Sequence, residues 1–202
     1  MLDLMSDNRD FALILAAGFS TRMGLCKTTL PWHGNQTLLR YQIEQFSQAN
    51  ITPIVVLGAH NAQRRVDCPP GSRVLIKSER DHTKTSSILI GLESLPQDFS
   101  TLTISAIDQP RPASVYKTLI NNYCRELALI TAPCYQGKLG HPLLFSHRLF
   151  SDLKQISDSN LGLREIVQKQ QSQISKVEFA TPEVLIDINN RDAYLRALRS
   201  TT

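Results

Sequence analysis

Apolar residues in this chain gather in short unbroken runs closed by turn-forming residues, and the stretches between them repeat every three to four positions. Phe11–Ala17 is such a run, closed by Gly18, and it predicts a strand buried on both faces. Ile54–Leu57 (stopped by Gly58), Val74–Ile76 and Leu102–Ile107 (stopped at Asp108-Gln109-Pro110) predict three more. Leu127–Thr131, Leu143–Phe145, Val177–Phe179 and Val184–Ile188 read as shorter strands. Helical spacing marks Leu38–Ala49, with Leu39, Ile43 and Phe46 on one face, and then Ser86–Leu95, Ala113–Tyr123, Leu149–Ile156, Leu163–Gln170 and Arg191–Arg199. Strands alternating with helices require crossover connections and a mainly parallel sheet. The expectation is one doubly wound α/β domain over residues 1–202, with a flexible N-terminus at 1–9 and an antiparallel excursion in the last third. Ligands of such sheets lie beyond the carboxyl ends of the strands, which singles out the residues after Ala17, Ile107 and Ile188.

Composition narrows the function classes. With 202 residues, 42% hydrophobic and 20% charged, the chain can bury a large core without disulfides. The net charge of +4 is modest and forms no Lys/Arg stripe, which argues against a nucleic-acid partner and is compatible with a small anionic substrate. Cys26, Cys68, Cys124 and Cys134 show neither Cys-x-x-Cys nor zinc spacing and read as separate thiols of a reducing cytosol. The polar start and the shortness of Phe11–Ala17 give neither an export signal nor a membrane span, so the expected location is cytoplasmic, with no membrane partner.

The loop from Gly18 to Pro31 carries the densest chemistry. Gly18 allows a sharp turn and close approach by an anion, and successive backbone N–H groups there form a concave anion site. Arg22 and Lys27 add two cations suited to phosphate oxygens. The loop contains neither a P-loop nor a dinucleotide fingerprint. A solvated glycine-rich surface loop is the alternative, but the exit from a buried first strand favours phosphate.

The segment LAAGFSTRMGLCKTTLPWHG resembles the signature of nucleotidyltransferases with a glycosyltransferase-A-type, Rossmann-like fold, and among them the molybdenum cofactor cytidylyltransferases. Leu15, Ala16, Ala17, Gly18, Ser20, Arg22, Met23, Gly24, Lys27, Leu30 and Pro31 carry the match. The resemblance implies a mostly parallel sheet flanked by helices, of the nucleotide-diphospho-sugar transferase type. It implies magnesium-dependent transfer of a nucleoside monophosphate from a nucleoside triphosphate to a small phosphorylated acceptor, with release of pyrophosphate. Leu15, Ala16, Ala17 and Gly18 would then border the base and ribose, and Arg22 and Lys27 the triphosphate. Ala17 stands where guanylyltransferases usually carry glycine, which leans toward CTP. The implied acceptor is molybdopterin, whose product passes to a molybdoenzyme or its chaperone; a sugar or alditol phosphate is the rival acceptor, and a carrier without turnover the rival class.

Four later motifs fit the same picture. Asp108 ends a strand, where a carboxylate is either a hard ligand for magnesium or part of a helix N-terminal turn. The family pattern Gly-Asp-x-Pro raises the first reading, although Ile107 replaces the glycine. Thr85, Ser86 and Ser87 precede a helix, either as caps or, as in relatives, in nucleotide recognition. Gly140-His141-Pro142 resembles the acceptor-side stretch of the molybdopterin-directed branch and makes His141 a candidate acceptor ligand. Near the end, period-two alternation places Asp187 and Asn189 on one side of a strand tip, and Asn189 resembles the second magnesium ligand beside Asp108. A helix cap at Asn189 or Asn190 is the alternative.

Overall fold

The computed structural model describes residues 9–20, 23–78 and 83–200. In chain order the strands are β1 (Asp10–Leu15), β2 (Pro31–Trp32), β3 (Gln36–Thr37), β4 (Thr52–Gly58), β5 (Arg73–Lys77), β6 (Thr101–Ala106), β7 (Ile130–Tyr135), β8 (Lys138–Leu139), β9 (Leu143–Ser146) and β10 (Ile174–Glu178). The helices are α1 (Leu38–Gln48), α2 (Lys84–Glu93), α3 (Ala113–Glu126), α4 (Phe150–Lys154), α5 (Leu163–Lys169) and α6 (Arg191–Ser200). The expected flexible segment at 1–9 falls almost wholly outside the described residues, as does Arg22.

One sheet runs in the order β10-β7-β9-β6-β1-β4-β5, with β8 on β7, while β2 and β3 form a separate ribbon. β1 pairs in parallel with both β4 and β6, β4 with β5, and β7 with β10. β9 runs antiparallel between β6 and β7, the excursion expected of the last third. Alternate side chains of β1 feed two cores. Ala12 and Ile14 pack with Leu39, Ile43 and Phe46 of α1 and Tyr116 of α3. Phe11 and Leu13 pack with Ile88 and Leu92 of α2, Leu153 of α4 and Ile166 of α5. Helices therefore cover both faces of a sheet whose central strands are buried on both sides. α2 lies close on β1 because Gly91 has no side chain: a Cβ there would come within 2.3 Å of Leu13 Cδ1.

From β1 the chain steps outward to β4 and β5 and then returns to β6 on the other side of β1. This reversal opens a crevice between the carboxyl ends of β1 and β6, the usual ligand position of an open α/β sheet. Leu15 and Ala106 are partners at that edge. No helix among the described residues is long and apolar enough to cross a membrane.

One predicted strand is absent. Val184–Ile188 forms a single tight turn, Pro182–Leu185, followed by extended chain. The Ile186 carbonyl accepts from the Arg111 guanidinium, and the Val184 carbonyl accepts both from Arg111 and from the His141 amide, an isolated backbone bond that no ladder continues. The Ile188 amide donates to the Asp108 carbonyl. Burial of Val184 and Ile188 thus comes from packing under this clamp, and their spacing imitates a strand. Two boundaries also shift: α3 continues to Glu126 and ends in left-handed Leu127, so β7 begins at Ile130.

Candidate active site

The first cavity, about 190 Å³, opens at the β1–β6 crevice and is lined by Leu15, Ala17, Gly18, Ser20, Lys27, Lys77, Ser87, Ile107, Asp108 and Asn189 among others. Lys27, Asp108 and Asn189, far apart in sequence, thus meet at one hollow. Lys27 Nζ donates to Asp108 Oδ2 at 2.6 Å, and the two side chains are only 11% and 17% exposed. The pair spans the crevice from the β1 loop to the β6 tip.

The loop before Lys27 is shaped by more than glycine. Ser20 is left-handed, with φ of 53°, and its hydroxyl accepts from the Lys27 amide. Gly18 is not left-handed, and a Cβ there would meet no atom within 4 Å. The protein alone therefore does not require glycine at 18; its effect is to keep the cavity floor open. Ala16, fully buried, is held by Asn61, whose Nδ2 donates to the Ala16 carbonyl while its Oδ1 accepts from the Gly58 amide.

The cap readings resolve residue by residue. Thr83, not Thr85, Ser86 or Ser87, caps α2, its hydroxyl accepting from the Ser86 amide at 3.1 Å. Ser87 faces the cavity and accepts from Lys77 Nζ, whereas the Ser86 hydroxyl turns back to the Thr83 carbonyl. α3 starts without a side-chain cap; Gln45 accepts from the Ala113 amide, which leaves the Asp108 carboxylate to Lys27. Asn190 caps α6 by accepting from the Ala193 amide, which leaves Asn189 to the cavity. Because the chain there is not a strand, Asp187 and Asn189 face different places: Asp187 lines a second cavity.

That second cavity, about 500 Å³, adjoins the first and is lined by Lys84, Thr85, Gln109, His141, Asp158, Arg164 and Asp187 over an apolar floor that includes Ile88, Ile104 and Leu143. His141 sits at its edge. Crowding by surrounding atoms and then the Arg111 charge hold its imidazole below the ordinary histidine value, so the ring is neutral at pH 7.

Arg111, which sequence reasoning passed over, organises both cavities. It is 1% exposed and bonds only to carbonyls: Nε to His141 (3.0 Å), Nη1 to Pro110 (2.7 Å), and Nη2 to Val184 (2.9 Å) and Ile186 (2.7 Å). Burial lowers its pKa to about 10, still charged at neutral pH. Gln42 does similar work at the β6 tip, its Nε2 reaching Ser105 Oγ and the Ala106 and Gln109 carbonyls. Neither residue carries a local signal; a charged residue between two prolines after a buried strand is the nearest hint for Arg111. Lys77 was also missed. It is buried at the end of β5 and bonds to Thr83 O and Ser87 Oγ.

The oxygen donors suit a small divalent cation. A carboxylate (Asp108) and an amide (Asn189) face the same hollow, and no group of three or more His, Cys, Asp or Glu is assembled among the described residues. Two protein oxygens, completed by substrate phosphate and water, match what magnesium prefers.

Comparison with known proteins agrees with this architecture. Curated proteins give no match. Among solved structures, a homologue of Rv0371c from Mycobacterium sp. strain JC1 superposes with a TM-score of 0.80 at 24% identity, covering 96% of each chain. A nucleotidyl transferase from Methanothermobacter thermautotroptrophicus, Mth528, gives 0.77 at 22%, over 94% of this chain and 95% of its own. Rv0371c of Mycobacterium tuberculosis in complex with manganese gives 0.74 at 22%, over 94% and 98%. At these identities the likeness shows a shared fold. The profile of the MobA-like NTP transferase domain matches residues 12–174, taking in the first loop, Asp108 and the His141 turn, and the chain belongs to that family.

Proposed function

We propose that the protein transfers CMP from CTP to a phosphorylated acceptor, molybdopterin being the favoured one, and releases pyrophosphate. The observation that carries this reading is the meeting of Lys27, Asp108 and Asn189 at one hollow in the β1–β6 crevice. The adjoining cavity with His141 at its edge provides room for the acceptor.

An oxygen of the acceptor phosphate attacks the α-phosphorus of the nucleotide, and the bond to the β-phosphate breaks in line, so that pyrophosphate departs with the electron pair. The attacking phosphate is already ionised at neutral pH, and no general base is needed. The work left to the protein is positioning and neutralisation of charge. Magnesium, held by Asp108 and Asn189, would supply positive charge to the phosphate oxygens. The manganese complex of the mycobacterial neighbour supports a divalent-cation site. Lys27 shares its ammonium between Asp108 and the departing phosphates, and Arg22 adds a second cation to the triphosphate. Leu15, Ala17 and Gly18 line the same cavity and border the nucleoside, and Ala17 favours CTP. A cytoplasmic location and delivery of the product to a molybdoenzyme or its chaperone complete the reading.

Pyrophosphate release tests it: purified protein with magnesium, CTP, GTP or UTP, and molybdopterin or a panel of sugar and alditol phosphates. Release with CTP and molybdopterin supports the proposal. Release only with a sugar or alditol phosphate moves the acceptor, and nucleotide binding without release under every pairing makes the protein a carrier.

A further inference from the structure

The two cavities share three lining residues, Leu15, Ala106 and Lys84. Leu15 and Ala106 are apolar partners at the tips of β1 and β6. Lys84, the first residue of α2, is thus the one ionisable side chain on the seam among the described residues. We propose that Lys84 is a catalytic residue, its ammonium standing where the nucleotide's α-phosphate meets the acceptor's phosphate. The inference rests on the nucleotide and acceptor assignments made above.

Bringing one phosphate up to another sets like charges together, and the repulsion is strongest as the new bond forms. A cation at the seam offsets that repulsion at the reacting atoms. Among the described residues, the other cations around the two cavities are held elsewhere. Lys27 is paired with Asp108, and Lys77 is bonded to Thr83 and Ser87 on the nucleotide side. Arg164 lines the acceptor cavity only, and the Arg111 guanidinium is occupied by carbonyls. Lys84 is exposed and makes no side-chain hydrogen bond or ion pair among the described residues, so its ammonium is available to phosphate. Its backbone is nevertheless fixed, because Thr83 caps the helix it begins. The Lys84 charge is felt at His141 across the second cavity, where it helps to keep the imidazole neutral.

The test is steady-state pyrophosphate release with CTP, magnesium and molybdopterin (or whichever acceptor the panel selects) for wild type, K84M, K84Q and K84R. An exposed side chain is replaced, so all variants are expected to melt with wild type; should K84M not, K84Q decides. The expected result is a fall in kcat of about 10²–10³-fold for the uncharged variants, with KM for each substrate and the calorimetric affinity for magnesium–CTP within about threefold of wild type. K84R recovers most of the loss. Turnover by K84M and K84Q within about threefold of wild type overturns the proposal, and so does a loss expressed only as a higher KM. If wild type itself releases no pyrophosphate with any acceptor, the transferase reading falls and this inference with it; if wild type turns over and the uncharged variants do too, only this inference falls.

Discussion

Replacing Arg111 by methionine isolates the physics that holds the two cavities together. The guanidinium is 1% exposed and donates to four carbonyls, those of Pro110, His141, Val184 and Ile186. A hydrogen bond from a charged group contributes about 1.5–3 kcal/mol net, and a carbonyl left unsatisfied in a buried place costs about 1–3 kcal/mol, although the Val184 carbonyl keeps the bond from the His141 amide. Against this, removing a buried charge recovers a desolvation cost of several kcal/mol. The difference predicts that Arg111→Met loses roughly 2–4 kcal/mol of stability, a fall in melting temperature of roughly 5–15 °C for a domain of this size. Arg111→Lys keeps the charge but not the planar fork, cannot reach all of these carbonyls from one ammonium, and should lose about half as much. Because two of the bonds hold the segment that leads into Asn189, the lysine variant should also need several-fold more magnesium for half-maximal activity. Urea and thermal unfolding, with a magnesium titration of the folded variants, measure both effects. If Arg111→Met unfolds at the wild-type midpoint, the four bonds do not hold the site.

How far the chain announces this arrangement depends on range. The central strands were legible because each is a continuous apolar run ending at a turn residue, as Phe11–Ala17 ends at Gly18. Their mainly parallel pairing followed from crossover rules, and the first loop stood out because phosphate chemistry concentrates several polar types in a few positions. Val184–Ile188 misled because burial alone produced its apolar spacing; the guanidinium that its Val184 and Ile186 carbonyls accept from belongs to Arg111, over seventy residues earlier. Thr83 was missed as a cap because Thr85, Ser86 and Ser87 offer the same chemistry one turn later. Arg111, Gln42 and Asn61 act through contacts to residues distant in the chain, and Lys84 through its position between two cavities, none of which leaves a period or motif. Asp187 and Asn189 were expected side by side, and the absence of a strand separates them into neighbouring cavities.

Three further outcomes are expected. Lys27→Ala, assayed with saturating CTP and magnesium, should reduce kcat by about 10²–10³-fold, and near-normal turnover would remove Lys27 from the reaction. Asn189→Ala should raise the magnesium concentration for half-maximal activity about tenfold and Asn189→Asp should lower it, since a carboxylate is the better ligand; equal metal dependence in all three proteins would exclude residue 189 as a ligand. The His141 ring should titrate below the ordinary value of 6.5 by proton NMR. The unfolded chain then binds more protons in that window, so the stability from neutral His141 is full above about pH 6.5 and is lost as pH falls through the folded-state value. His141→Gln should therefore lose less stability than wild type between about pH 7 and 5, and identical pH profiles would contradict the assignment.

The most direct test of the account is a crystal structure of the protein with magnesium and a non-hydrolysable CTP analogue. The expected result is a triphosphate and a metal ion in the β1–β6 hollow, with Lys27 on phosphate, Asp108 and Asn189 on the metal, and the cytidine lying over Ala16–Gly18. Nucleotide bound in another cavity, or in this one with those three side chains untouched, would contradict it.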